Sequence, residues 1–132
     1  MENCIFCKIV RKKVPAIIVY EDKDFMAFLS IEPLNLGHTL VIPKKHHRWV
    51  WDMPDIGKYY EVIGKIANAL RKAFETEWVV SVVFGEEIPH AHVWLVPRFP
   101  DDGHGGSLNT ANVKTFSNKE MEEAAEKIRE LL

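Results

Sequence analysis

The sequence predicts an α+β fold, a five-stranded antiparallel sheet with one long helix and a C-terminal helix. Five runs of β-branched, aromatic and other apolar residues have the length and composition of strands. Short connections join several of these runs, which favours antiparallel pairing. One longer segment instead has apolar residues three and four positions apart, the spacing that gives a helix one apolar face.

The elements follow one another from the first residues to the end of the chain. A short helical turn is predicted at residues 4–12, ending before Pro15. The strands are predicted at residues 17–20, 25–29, 38–43, 78–84 and 91–96. Pro43 is placed at a strand end, since proline cannot donate a hydrogen bond to a central ladder.

Two helices complete the predicted fold. The long helix is expected at residues 54–75, with Pro54 at its first position. Its apolar face would comprise Ile56, Tyr59, Tyr60, Ile63, Ile66, Ala67 and Leu70. A loop at residues 98–116 leads to the last helix, residues 118–130, where Ser117 and Glu120 match a capping box.

Length and composition indicate one globular domain spanning residues 1–132. Hydrophobic residues make up 47% of the chain and charged residues 27%, a balance that argues against intrinsic disorder. The formal net charge of −2 argues against a broad nucleic-acid-binding face. A pocket for a single phosphate remains compatible with it, because backbone N–H groups and a few side chains can supply one.

The sequence also predicts a cytoplasmic protein. No apolar run approaches the roughly 18 residues that a membrane span needs. The N-terminus, Met1-Glu2-Asn3-Cys4, has neither the basic nor the apolar region of a signal peptide. Cys4 and Cys7 are therefore expected to be reduced thiols.

The first pattern that carries chemistry is His90-Ala91-His92-Val93-Trp94. In a strand, alternate side chains share a face, so His90, His92 and Trp94 would point the same way. The two imidazoles would lie about 6.6–7 Å apart along the strand, close enough to serve one site in different roles. The alternative is a pair of histidines that happen to fall in one strand.

The second pattern is Cys4-Ile5-Phe6-Cys7. Two thiolates at this spacing are suited to binding Zn²⁺. The alternative is a redox pair, but such a pair usually opens a helix that follows a strand. Here no strand precedes the cysteines, which favours zinc.

These blocks, together with Gly37-His38-Thr39-Leu40 and the later His46, resemble the histidine triad (HIT) superfamily in order and spacing. In that family the middle histidine of H-x-H-x-H attacks an α-phosphate and forms a nucleotidyl-histidine intermediate. The matching residue is His92, and neutral imidazole is a good nucleophile near pH 7. The resemblance implies a hydrolase or nucleotidyltransferase that cleaves a nucleotide phosphoramidate or a dinucleoside polyphosphate, with a purine nucleotide as partner. The alternative is a catalytically impaired nucleotide-binding or interaction protein with the same fold.

The zinc-bearing branch of the superfamily implies a ligand set for the metal. By position the four ligands would be Cys4, Cys7, His46 and His90. His47 competes with His46 for the third place, and the sequence alone leaves both open.

The resemblance also implies a nucleotide pocket. Phe6, Phe28, Ile31 and Leu40 match positions that sandwich the base and line the ribose, although each could equally be ordinary core. His38 matches a histidine close to the nucleophile that supports the phosphate end of the site.

The chain departs from the family pattern at four places in this pocket. Trp94 replaces the third histidine, and an indole offers one N–H donor and no acceptor. Ser30 stands where relatives often hold an Asp that binds the ribose hydroxyls. Gly85-Glu86-Glu87 stands where relatives have a glycine-rich loop that contains Gln. No residue replaces the Asn that usually precedes this loop.

Family resemblance implies a homodimer in which the long helix and a strand edge pair across a two-fold axis. The apolar residues around the start of the helix, Trp49, Trp51, Tyr59 and Tyr60, are compatible with such an interface. They could equally belong to the core.

Overall fold

The protein is described by a computed structural model that covers residues 3–132. Met1 and Glu2, part of the N-terminal segment that the sequence predicts not to be a signal peptide, lie outside the described residues. The elements in chain order are α1 (Ile5–Val10), β1 (Ile18–Glu21), β2 (Phe25–Leu29), β3 (Thr39–Pro43), a 3₁₀ turn (Val50–Asp52), α2 (Ile56–Ala73), β4 (Val79–Val82), β5 (Val93–Pro97) and α3 (Asn118–Glu130).

The strands form one five-stranded sheet in the order β1-β2-β3-β5-β4, and every neighbouring pair is antiparallel. The predicted fold class is therefore confirmed. β3 lies at the centre of the sheet, paired with β2 on one side and with β5 on the other. β1 and β4 are the two edge strands.

Alternation along the strands divides the core between the two faces of the sheet. Val41 and Val93 belong to the larger cluster, which packs against α2 and α3. Leu40 and Ile42, the neighbours of Val41 in the chain, belong to the smaller cluster on the opposite face. That cluster contains Phe6 of α1, so the short N-terminal helix covers the face that the two longer helices leave open.

The start of β5 differs from the sequence prediction. The strand begins at Val93 rather than Ala91, so His90 and His92 precede it and the prediction that both lie in the strand is wrong. The ladder between β3 and β5 ends at the pair Val41–Val93. Two residues further along β3, Pro43 has no N–H to continue the ladder, and its carbonyl accepts a hydrogen bond from the His90 ring instead.

The start of α2 also differs. Its first hydrogen bond runs from the Tyr59 N–H to the Asp55 carbonyl, and Asp55 is the N-cap, so the prediction of Pro54 as the first helical residue is wrong. The preceding 3₁₀ turn, Val50–Asp52, occupies part of the connection and delays the helix. Tyr59 is fully buried, and its hydroxyl donates to the Val41 carbonyl at 2.6 Å. Tyr60, predicted on the same apolar face, is 37% exposed.

The capping box of α3 is confirmed. The Glu120 N–H donates to Ser117 Oγ at 3.0 Å, and the Ser117 N–H donates back to Glu120 Oε1 at 3.0 Å. The helix spans Asn118–Glu130, as the sequence predicts.

A buried polar cluster fastens the loop after β5 to the loop that precedes β3. Arg98 Nε donates to Asp102 Oδ2 at 2.7 Å, and the two side chains are 1% and 4% exposed. Asn35 Nδ2 donates both to this carboxylate and to the Pro97 carbonyl. His104 Nε2 donates to the Leu34 carbonyl at 2.8 Å, so the loop after β5 also holds the segment that leads to His38.

Replacing Asp102 with Asn should destabilise the fold by about 3–5 kcal/mol, because it leaves the buried Arg98 cation without its counter-ion. Hydrogen bonds from Arg98 are the main cause that lowers the pKa of Asp102 in the folded state. Because the pKa is lowered in the folded state, the carboxylate stabilises the fold at pH values above about 3.9, the pKa of Asp in an unfolded chain. This stabilisation is lost as the pH falls below that value.

Denaturant unfolding at pH 7 measures the effect of Asp102→Asn, and Glu123→Gln is the matched control. Glu123 forms a long, exposed pair with Lys119 at 4.0 Å, so its neutralisation should change stability little. Equal midpoints for the two variants would contradict a stabilising role for the buried pair.

Among residues 3–132, no helix is both long enough and apolar enough to cross a membrane.

Candidate active site and metal centre

Four side chains converge around the start of α1. Cys4 and Cys7 come from the start of α1, His46 follows β3, and His90 precedes β5. The ligand atoms of these four residues all lie within 4.8 Å of one another. Cys4 Sγ is 3.3 Å from His90 Nδ1, and Cys7 Sγ is 3.3 Å from His46 Nδ1 and 3.5 Å from His90 Nδ1.

Local structure explains how each donor is aimed. Cys4 is the N-cap of α1, and its Sγ accepts the Cys7 N–H at 3.3 Å, so one helical turn brings both sulfurs to the same side. His90 Nε2 lies 2.8 Å from the Pro43 carbonyl, a group that can only accept. Nε2 must therefore carry the proton, which leaves the Nδ1 lone pair facing the cysteines, as a metal-binding imidazole requires.

The donor set fits zinc. A tetrahedral site with Zn–S near 2.3 Å and Zn–N near 2.0–2.1 Å places S and N ligands about 3.6 Å apart. The three S···N distances, 3.3–3.5 Å, are close to that value. Burial lowers the pKa of His90 to about 4, so its imidazole is neutral and able to coordinate. His47 is not part of the group; its side chain lies outside the four converging donors.

His92 is buried beside this group but turns away from it. Its Nδ1 lies 2.7 Å from the His90 carbonyl, so Nδ1 carries a proton and Nε2 has a free lone pair. Burial is the main cause that lowers the pKa of His92, and the nearby Arg48 adds to it, whereas the His90 carbonyl and Glu87 act in the opposite direction. The ring is therefore a neutral imidazole at neutral pH.

An aromatic cluster adjoins His92 on the face of the sheet that α1 covers. The Phe6 ring lies 5.2 Å from the His92 ring and 5.4 Å from the Phe28 ring, edge to face in both cases. Leu40 is buried in the same cluster, and Trp94 packs against it. His92 and Trp94 therefore both adjoin this cluster, although only Trp94 is in the strand.

Two predicted pocket residues lie apart from this cluster. Ile31 is 91% exposed and does not belong to it. Ser30 Oγ accepts the Glu32 N–H at 3.1 Å within a turn, so its hydroxyl is engaged locally.

His38 presents a buried N–H donor beside Trp94. Its Nδ1 accepts the Leu34 N–H at 3.1 Å, so its proton is on Nε2, which has no partner among the described residues. Burial lowers the pKa of His38 to about 4, with His104 adding to the shift, and the ring is neutral at pH 7. The ring centroids of Trp94 and His38 lie 4.8 Å apart, and those of Phe84 and Trp94 lie 5.1 Å apart. Both pairs of rings meet edge to face.

Comparison with known proteins shows the family of this chain. The HIT domain family matches residues 11–101. The chain belongs to the HIT family. An uncharacterised HIT-like protein of Borreliella burgdorferi is 39% identical over 133 residues, which cover 92% of this chain and 94% of that protein.

Two further relatives bear on the chemistry of this HIT protein. The crystal structure of a zinc-bound histidine triad family protein from Mycobacterium smegmatis has a TM-score of 0.80 and 29% identity, over 98% of this chain and 93% of that one. Adenosine 5'-monophosphoramidase HNT1 of Saccharomyces cerevisiae is 34% identical over 100 residues, which cover 72% of this chain and 62% of that protein.

The structure of this HIT protein also reveals a feature that the sequence did not single out. The segment after β3 runs beside the loop that leads to His92, and the His47 carbonyl accepts the Ala91 N–H at 2.7 Å. Arg48 Nη1 donates to the Gly85 carbonyl at 2.6 Å, and its guanidinium lies 3.7 Å above the Trp49 ring. A basic residue after two histidines is not a recognisable motif, so only the fold brings Arg48 to this loop.

Gly85 is needed where this loop meets the Trp49 ring. Its φ of +81° is in the left-handed region that disfavours other residues. A Cβ at this position would lie 2.7 Å from the Trp49 ring, closer than packed atoms approach. The glycine therefore allows the loop to rest directly on the indole.

Proposed function

We propose that this HIT protein is a nucleotidyl hydrolase or transferase that uses His92 as its nucleophile. The hydrogen bond from His92 Nδ1 to the His90 carbonyl carries the proposal, because it fixes the tautomer in which Nε2 is unprotonated. The aromatic cluster beside His92 suits a nucleobase, since flat rings pack well against Phe6 and Phe28. The substrate class is a nucleotide phosphoramidate or dinucleoside polyphosphate, and the activity of HNT1 supports the phosphoramidate.

The reaction would proceed in two balanced displacements. His92 Nε2 attacks the α-phosphorus as the P–N or P–O bond to the leaving group breaks, and the leaving group takes up a proton from solvent; the water that attacks in the second step returns one proton to solvent. Water, or another hydroxyl acceptor, then attacks the phosphorus and the P–N bond to His92 breaks. The second step restores the neutral imidazole and releases the nucleotide, so His92 acts by covalent catalysis.

His38 would support the phosphate end of the site. Its Nε2–H is a neutral donor that is already buried and has no protein partner among residues 3–132. A donor that is held in place before the substrate arrives stabilises developing charge without a further cost of reorganisation. We also assign nucleotide binding to Phe6, Phe28, Leu40 and Trp94 in the aromatic cluster, and to Ser30 and Ile31, which lie apart from it.

We assign zinc to Cys4, Cys7, His46 and His90 as a structural ion. Bound there, it would supply a cross-link between α1 and the segment that carries His90. Phe6 lies between the two cysteines, so the same cross-link would hold one wall of the pocket against His92. The zinc-bound relative from M. smegmatis supports this assignment.

A second candidate is a nucleotide-binding protein with impaired turnover. The observation that favours it is the position of Trp94, whose indole lies against both His38 and Phe84 at the place of the third triad histidine. Turnover of adenosine 5'-phosphoramidate and binding of AMP separate the two candidates. Turnover supports the enzyme, whereas AMP binding without turnover of any nucleotidyl substrate supports the second candidate.

Trp94→His should raise kcat/KM on the phosphoramidate roughly tenfold. The substitution replaces the bulky indole with an imidazole that can donate to a phosphate oxygen, and a hydrogen bond to a charged group contributes on the order of 1.5–3 kcal/mol. Trp94→Phe is the control, since it removes the donor and keeps an aromatic ring. Equal rates for the His and Phe variants would show that hydrogen bonding at this position is irrelevant.

We further propose that the protein is a homodimer formed through α2 and the exposed edge of β4. Trp51, which precedes α2, is 69% exposed, and Tyr60, near the start of α2, is 37% exposed. Tyr59 belongs to the core. A pair of exposed aromatic rings at a helix start suits a two-fold interface. Sedimentation equilibrium should give a dimer for the wild type and a monomer for Tyr60→Glu; a wild-type monomer would refute the proposal.

A further inference from the structure

We propose that Arg48 binds the substrate phosphate in this protein. The inference deepens the proposed function, since it names a phosphate partner for the site at His92. The site needs one because Trp94, the residue that we match to the third histidine of the family motif, accepts no hydrogen bond and donates only one. A phosphate carries a charge that a single neutral donor such as His38 neutralises poorly.

Backbone pairing brings Arg48 to the nucleophile. The His47 carbonyl accepts the Ala91 N–H at 2.7 Å, and Arg48 and His92 are the chain neighbours of these two residues. Arg48 Nη1 reaches the Gly85 carbonyl on the same loop at 2.6 Å. The guanidinium is thus bonded to the start of the loop that runs from Gly85 to His92, and the backbone next to Arg48 is bonded to the end of that loop.

The Arg48 guanidinium is held in place, but most of its N–H groups are available to bind a ligand. It has five N–H donors, and only Nη1 has a partner among the described residues. None of the ion pairs within residues 3–132 includes it. Stacking on the Trp49 ring at 3.7 Å fixes its plane, and Gly85 lets the loop lie against that ring. A planar guanidinium held on one side and open on the other is suited to a bidentate contact with phosphate oxygens.

Glu87 explains why a cation is needed at this position. It lies on the same loop, between Gly85 and His92, and carries a negative charge. An anionic substrate would meet that carboxylate as it approached the nucleophile. Arg48 would offset the repulsion, so the loop Gly85-Glu86-Glu87 and the arginine form one unit.

The experiment compares binding of AMP and of adenosine by titration calorimetry. Arg48→Gln should weaken AMP binding about tenfold or more and change adenosine binding by less than about twofold, because only AMP carries the phosphate. Arg48→Lys keeps the charge but loses the planar fork, so it should lie between Gln and wild type. Arg71→Gln, on the C-terminal part of α2, removes the same charge from another part of the fold and should affect neither ligand.

Three outcomes would overturn the assignment. Equal losses for AMP and adenosine in Arg48→Gln would mean that the arginine only positions the loop. Unchanged AMP binding in that variant, or a wild type that binds AMP no better than adenosine, would mean that Arg48 does not contact the phosphate. A wild type that binds AMP through Arg48 but cleaves no nucleotidyl substrate would remove the hydrolase proposal and leave the role of Arg48 intact.

Discussion

His92→Ala should reduce turnover of a nucleotide phosphoramidate by roughly three orders of magnitude or more, because it removes the atom that forms the covalent intermediate. The variant should keep its metal, since His92 Nδ1 bonds to a backbone carbonyl and not to the four converging donors. Steady-state kinetics and metal analysis on the same preparation measure both expectations.

His47→Ala is the matched control for that substitution. His47 lies next to a proposed zinc ligand, yet only its backbone carbonyl is used, to hold Ala91. The control should therefore retain both the metal and most of the activity. His90→Ala should instead lose the metal, so the three histidine variants separate the proposed roles. Activity that persists in His92→Ala would mean that another group is the nucleophile.

Cys4→Ser should release the metal and lower the unfolding free energy by roughly 3 kcal/mol or more, which is about 10 °C in Tm for a chain of this size. The expectation rests on linkage, since zinc binds the folded donor set and stabilises it. Wild-type protein prepared without chelators should contain about one zinc per chain by mass spectrometry of the metal. Thermal unfolding of the two proteins gives the difference in Tm.

The choice of serine makes this test specific for the metal. Cys4 is the N-cap of α1, and serine is among the best N-cap residues, so the helix itself should not suffer. A loss of stability would then come from the missing thiolate. A Cys4→Ser variant that still binds one zinc with an unchanged Tm would contradict the assignment of Cys4 as a ligand.

The fold could be predicted from the sequence because its elements are set by local patterns. The capping box at Ser117 and Glu120 marks the start of α3, and the spacing of Ile63, Ile66 and Leu70 marks the buried face of α2. The boundary of β5 could not be predicted in this way. It depends on Pro43, a residue in another strand, whose missing N–H ends the ladder before His92.

Part of the candidate site could likewise be predicted from the sequence, and part could not. The four metal donors lie together as the resemblance to the HIT family implied, because their spacing is fixed by α1 and by the ends of β3 and β5. Arg48 was not predicted, since its contact with the loop that leads to His92 arises from the bond to the Gly85 carbonyl and from the backbone contact between His47 and Ala91. The buried pair of Arg98 and Asp102 was missed for a similar reason, because the sequence of residues 98–116 reads only as a loop.

Covalent trapping tests the central claim most directly. Adenosine 5'-phosphoramidate labelled at the α-phosphate is mixed with the wild type and with His92→Ala, and each reaction is stopped with alkaline denaturant, which preserves a phosphorus–nitrogen bond to histidine. The account predicts label on the wild-type protein, located by peptide mapping at His92, and none on His92→Ala. Equal labelling of the two proteins, or turnover by the wild type with no labelled protein at any time, would contradict it.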